Sequence, residues 1–282
     1  MVKNFFSILV IVIFLSFKIT GQQIIAAKEI QQNMTMVNDS LYVGKYEISN
    51  FDYRKFLNYT QKYHPDLSNK YAIDSLKWLQ VMSYCEPLEP LSKYYHRHPT
   101  FNNYPVVNIP YEGATAYCDW LAEQYNNDSR RKFKKVKFTL PTEREWVIAA
   151  QGGKKEIIYP WGGNYLRNKQ GMFMCNFKHV GDGFVVSDSL GNPVFDYKEL
   201  EKNKSELGER AFYTASVDSF WPNSIGLYNM SGNVAEMTIQ KGLTKGGSWN
   251  SYGGEITIQY KKFFYEPSPE VGFRIFMKVI ER

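Results

Sequence analysis

Three stretches of the chain repeat their apolar positions at helical spacing. In "FDYRKFLNYTQKY", Phe51, Phe56, Leu57 and Tyr63 form one stripe, and Asn50 stands where an N-cap belongs. In "YEGATAYCDWLAEQYNN", Ala114, Tyr117, Cys118, Leu121, Ala122 and Tyr125 follow the i, i+3, i+4, i+7 pattern. In "LPTEREWVIAAQGG", Thr142 and Glu145 form a capping box, and Gly152 or Gly153 ends the helix. Elsewhere the apolar runs are short and separated by Gly, Asn, Pro and Asp: "YPVVNIP", "IIYPWGGNY", "IGLYNMSGN" and "VGFRIFMKV". The pattern predicts an α+β domain with a few helices, short strands and much irregular but ordered backbone. No repeat or Pro/Ser-rich linker divides it, and Val180 to Arg210 reads as a long surface insertion.

The first residues break this pattern. Lys3 precedes an apolar run of 13 residues, Phe5 to Phe17, and the small Gly21 precedes Gln22. That is the layout of a secretory signal peptide over residues 1–21, leaving a mature chain of 22–282. A membrane span needs about 20 apolar residues, and this run stops at Lys18. No Cys stands near the cleavage region, so a lipoprotein anchor is not expected.

Composition changes the picture little. Hydrophobic residues make up 44% and aromatic residues 16%, which excludes a disordered chain. The formal charge is +6, and its densest run is "RRKFKKVKF". Phe133, Val136 and Phe138 interrupt that run, so it reads as a solvated strand with an apolar face, and no nucleic-acid partner is expected. Of three cysteines, Cys118 falls on the apolar face of a helix, which leaves Cys85 and Cys175 as the pair that could join.

Generic catalytic signatures are absent: no His-Glu-x-x-His, no Cys-x-x-Cys, no phosphate-binding Gly loop and no Gly-x-Ser-x-Gly. His96 and His98 in "YYHRHP" read as a polar loop in preference to a metal site. Glu143 and Glu145 are first-turn helix residues that complement the dipole.

The specific signal is a set of motifs in order. "YEISNFDYRKFL", "YPVVNIPYEGATAYCDWLA", "FTLPTEREWVIAAQGG", "YPWGGNY", "IGLYNMSGNVAEM", "KGGSW" and "GFRIF" together resemble the formylglycine-generating enzyme, or sulfatase-modifying factor, family. The likeness covers about Met36 to Lys278 and implies one compact α+β domain distantly similar to C-type lectins. Active members hold copper between two cysteines after the "GGS" loop, and those places here are Ser251 and Ile256. A hydroxyl does not replace a thiolate for copper(I), and an isoleucine cannot ligate, so the resemblance implies a non-catalytic chain without copper.

Further stretches, "YYHRHPTFNNYPVVNIPYEGATAYCDW", "GMFMCNFKHVGDGF" and "GNVAEM", resemble the non-catalytic branch typified by GldK, GldJ and PorK. That branch implies a periplasmic scaffold, associated with the outer membrane through envelope proteins of gliding motility or type IX secretion. The family also implies structural calcium. Asn176 with the Phe177 carbonyl, and Glu209 with the Ala211 carbonyl, would hold one ion; Asn233, the Val234 carbonyl and Glu236 would hold a second. The alternative for Asn233 and Glu236 is a turn residue and a surface carboxylate. Two other functions stay open: an enzyme with altered chemistry on the same fold, and a carbohydrate- or peptide-binding module.

Overall fold

The computed structural model describes residues 23–81, 89–178 and 213–282, together with a few positions between 185 and 195. The expected signal peptide, Cys85, Glu209, Ala211 and most of the expected insertion lie outside the described residues. Among the described residues, no helix is long and apolar enough to cross a membrane.

The chain begins with α1 (Ala27–Gln32), β1 (Met34–Asn38) and β2 (Leu41–Gly44). α2 (Asn50–Tyr63), the short α3 (Glu89–Tyr94) and α4 (Tyr111–Asn127) follow. β3 (Lys135–Thr139) leads into α5 (Glu143–Gln151), and β4 (Val185–Ser187) pairs with β5 (Pro193–Phe195) as a hairpin. The last quarter holds β6 (Ala235–Met237), β7 (Leu243–Lys245), β8 (Lys261–Phe263), β9 (Val271–Gly272) and β10 (Phe276–Glu281).

Two four-stranded sheets organise these elements. The first runs β1-β2-β10-β3 and is antiparallel throughout, with Phe276 opposite both Val43 and Thr139. Successive side chains on a strand point to opposite faces, and here both faces are buried. Met277, Val136 and Phe138 join the core made with α2 and α4, while Leu41, Val43 and Phe276 join Trp146, Ala149 and Ala150 of α5. The first sheet is therefore packed between two helical layers. The second runs β8-β7-β6-β9, with β6 and β9 parallel.

Local signals hold where the physics is local. Thr142 and Glu145 close the capping box of α5, and Gly152 ends it in the left-handed conformation at φ 57°. The end of the basic run becomes β3, with Val136 and Phe138 buried, and Phe133, just before the strand, is buried too. α2 differs from expectation by one residue: Ser49 is the cap, its Oγ accepting from the Asp52 N–H at 3.1 Å. Asn50 is instead buried, donating to the Tyr95 and Phe101 carbonyls. Phe51, placed on the buried stripe by periodicity, is exposed, and Tyr53 and Tyr59 take its place against α4.

Candidate functional site

The loop that follows β7 is shaped by Gly246 and Gly247, at φ 87° and 67°. A Cβ at Gly247 would lie 2.7 Å from the Glu255 carbonyl and 2.8 Å from Ile256, so only glycine lets the loop fold back on itself. Ser248 donates its N–H to the Ser251 Oγ at 3.1 Å and its hydroxyl to Glu270 at 2.8 Å. The other Glu270 oxygen accepts from the Asn250 side chain at 3.1 Å. Ser251 is buried, and Ile256 is fully buried beside Tyr159, Cys175 and Phe177. The two positions that the resemblance gives to thiolates thus hold a hydroxyl bonded within its own loop and an alkyl group in an apolar cluster.

A second cluster lies at the "SGNVAEM" motif. Asn233 adopts φ 62°, a left-handed conformation that Asn tolerates. Its N–H donates to the Asn176 carbonyl at 2.8 Å, and its Oδ1 accepts from the Ala215 N–H at 2.7 Å. Its Nδ2 donates to both oxygens of Glu47, at 2.9 and 3.1 Å. Glu47 also accepts from the Asn229 side chain at 3.0 Å. Burial pushes the Glu47 carboxyl up to about 8, against the opposing pull of Arg274. Gly232 makes this junction possible, since a Cβ there would lie 2.1 Å from the Asn176 carbonyl oxygen.

Glu236 is not a surface carboxylate. It is buried and accepts from Trp146 Nε1 at 2.7 Å, Arg274 Nε at 2.9 Å and Arg274 Nη2 at 2.7 Å. Arg274 donates further to the Gly44 carbonyl at 2.8 Å and the Tyr228 carbonyl at 2.6 Å. One guanidinium thereby joins β2, the loop before β6, and β6 itself.

The side chains expected to hold the second calcium are engaged otherwise, and half of the first set, Glu209 and Ala211, lies outside the described residues. Asn176 and Asn233, assigned to separate ions, meet in one hydrogen-bond cluster. Asn233 turns its amino group toward Glu47, and the oxygens of Glu236 face a guanidinium and an indole N–H. Calcium takes roughly six to eight oxygen ligands. Among these side chains, only Asn229 Oδ1 is a buried oxygen without a hydrogen-bond partner. The Phe177 side chain packs in the apolar cluster beside Ile256, whereas the ligand expected there was its carbonyl.

The two histidines separate. His98 is exposed, while His96 is buried between Asn50 and Trp78. Trp78 only donates, so His96 Nε2 accepts from it and Nδ1–H donates to Asn50 Oδ1 at 3.1 Å. Burial lowers this imidazole to about 3. His96 is a structural histidine and not a polar-loop residue. Cys118 and Cys175 are buried free thiols, both pushed upward by burial, which makes them poor nucleophiles. Cys85, weighed as a partner for Cys175, lies outside the described residues.

Glu47, Asn229 and Arg274 escaped the reading of the sequence. Their signal was a charged or amide residue inside an apolar run, as in "RIF" of the last motif. Such residues are buried only with partners, and the partners are distant in sequence.

The family model for the sulfatase-modifying factor enzyme 1-like domain matches residues 16–279, and the chain belongs to this family. It is 29% identical to the mouse formylglycine-generating enzyme over 71% of this chain and 49% of that protein. It is 33% identical to the formylglycine-generating enzyme of Thermomonospora curvata over 48% of this chain and 32% of that one. It is also 29% identical to the bovine inactive C-alpha-formylglycine-generating enzyme 2, over 49% of this chain and 33% of the relative. The chain thus spans about a third to a half of these relatives. The family includes inactive proteins, so membership alone carries no activity. PvdO from Pseudomonas aeruginosa shares the fold, with a TM-score of 0.51 at 15% identity over 84% of this chain and 80% of that one. The domain is a single mixed α/β unit.

Proposed function

We propose that this chain is a non-catalytic member of its family, exported to the periplasm, where it works as a scaffold in an outer-membrane-associated complex of the gliding-motility or type IX secretion kind. The loop after β7 carries the reading. Ser251 and Ile256 are buried and engaged within the protein, and no cysteine follows Cys175 in the chain. A hydroxyl and an alkyl group do not hold copper(I). Export rests on the layout of residues 1–21. Trp221, Tyr252 and Tyr265 are exposed and are of the types that anchor interfaces. A stable docking would bury at least about 1,000 Å².

Two measurements test the two halves of this reading. Purified protein given copper(I) and a cysteine-containing sulfatase-type peptide should form no formylglycine and consume no oxygen; formation of the aldehyde would overturn the non-catalytic half. Mild-detergent extracts of the envelope should contain the chain in a large complex with outer-membrane or type IX secretion components. Recovery as a free monomer alone would overturn the scaffold half.

A further inference from the structure

A cleft of about 350 Å³ opens between α2 and the turns on either side of α3. Its wall carries Arg54, Asn58 and Gln61 from α2, Asn69 from the turn that follows, and His96 with Arg97 after α3. Among the described residues that line it there is no Asp or Glu. The volume falls within the roughly 300–1,000 Å³ of small-molecule sites.

Arg54 gives the cleft its chemical character. Its Nη1 donates to the His96 carbonyl at 2.9 Å, and its Nη2 donates to Asn102 Oδ1. Both acceptors are neutral. Asp52, two residues away, directs its carboxylate to the Ser49 hydroxyl at 2.7 Å and to Lys55 at 3.4 Å. Arg54 makes no ion pair among the described residues, although burial already pushes its guanidinium below the ordinary value. Asp52 favours the charged guanidinium, but burial outweighs its pull and its oxygens are engaged by Ser49 and Lys55, so a bound anion would stabilise Arg54 further. Two hydrogen bonds fix its orientation and use two of its five N–H donors, which leaves donors on the guanidinium for a planar or tetrahedral oxyanion. Arg97, exposed on the same wall, adds a second positive charge.

We propose that this cleft binds a small hydroxylated oxyanion, a sugar acid or sugar phosphate being the chemical class, with Arg54 and Arg97 on the anion and Asn58, Gln61 and Asn69 on the hydroxyl groups. Cations are disfavoured by the two arginines, with no carboxylate among the described lining residues. A nucleic-acid strand would need aromatic platforms for its bases, and no Phe, Tyr or Trp lines the cleft among the described residues. Side-chain amides both donate and accept, as vicinal hydroxyls require.

Calorimetric titration of the mature protein with glucuronate and with glucose 6-phosphate tests the site, with glucose and inorganic phosphate as comparators. At least one of the sugar anions should bind tenfold or more tightly than glucose and than inorganic phosphate. The sugar anion that binds tells carboxylate from phosphate recognition. Arg97→Gln should weaken that binding about tenfold or more, the scale of one lost charge-assisted bond, with thermal unfolding unchanged. Arg54→Gln should abolish it; because Arg54 also holds Asn102, the exposed Arg97 variant is the decisive one. Equal binding of glucose, equal binding of inorganic phosphate, no binding of either sugar anion, or indifference to Arg97→Gln would each overturn the proposal.

Discussion

The carboxylate of Glu236 lies 2.7 Å from Arg274 Nη2 and 2.9 Å from its Nε, and the two side chains are 1% and 0% exposed. Glu236 lies on β6 of the second sheet, and the guanidinium reaches the carbonyl of Gly44 at the end of β2 in the first. The two sheets are therefore tied by one buried ion pair. Removing one member leaves the other charged and desolvated, which costs about 3–5 kcal/mol. Glu236→Ala should lose that much in urea denaturation. The double variant with Arg274→Ala should lose less than the sum of the two single losses, since the groups share one interaction.

Two buried groups of opposite tendency contribute to the pH dependence. Glu47 is raised from 4.5 to about 8 by burial, so the folded state holds a proton that the unfolded chain releases. Its contribution is full below about 4.5 and is lost as pH rises through about 8. His96 is lowered from 6.5 to about 3 by burial, so its contribution is full above about 6.5 and is lost as pH falls toward 3. Between 4.5 and 6.5 the two slopes oppose each other. Stability against urea should decline from pH 6.5 to 8, and Glu47→Gln should flatten that decline relative to wild type. An unchanged alkaline slope in Glu47→Gln would remove Glu47 as its source.

Ser251 accepts the buried Ser248 N–H. Ser251→Ala leaves that donor without its partner and should cost about 1–3 kcal/mol. Thermal unfolding reads the loss. The variant should be no different from wild type in copper(I) binding, because the hydroxyl holds the loop and not a metal.

Gly232 has φ 74°, and a Cβ there would lie 2.1 Å from the Asn176 carbonyl oxygen. The contact is with backbone, which cannot swing aside. Gly232→Ala combines an unfavourable φ with overpacking and should lose at least about 1–3 kcal/mol. Gly254→Ala, where nothing lies within 4 Å, is the control and should unfold close to the wild-type temperature.

The sequence by itself determined what depends on neighbours along the chain. The capping box of Thr142 and Glu145 closes over three residues, and the alternation of Val136 and Phe138 with lysines makes the end of the basic run a half-buried strand. Helical periodicity found most of the buried face of α4, because a 3.6-residue repeat places those residues together before any tertiary contact forms. The ordered motifs gave the family as a whole. Tertiary structure decided the rest. Asn50 looks like a cap in sequence, but burial against Tyr95 and Phe101 made it a core amide and left the capping to Ser49. Asn233 and Glu236 looked like ion ligands three residues apart. Their orientations were set by Glu47, 186 residues from Asn233, and by Arg274, 38 residues from Glu236. A buried polar group takes whichever partner the packed chain brings within 3 Å or so, and no local pattern records which partner that is.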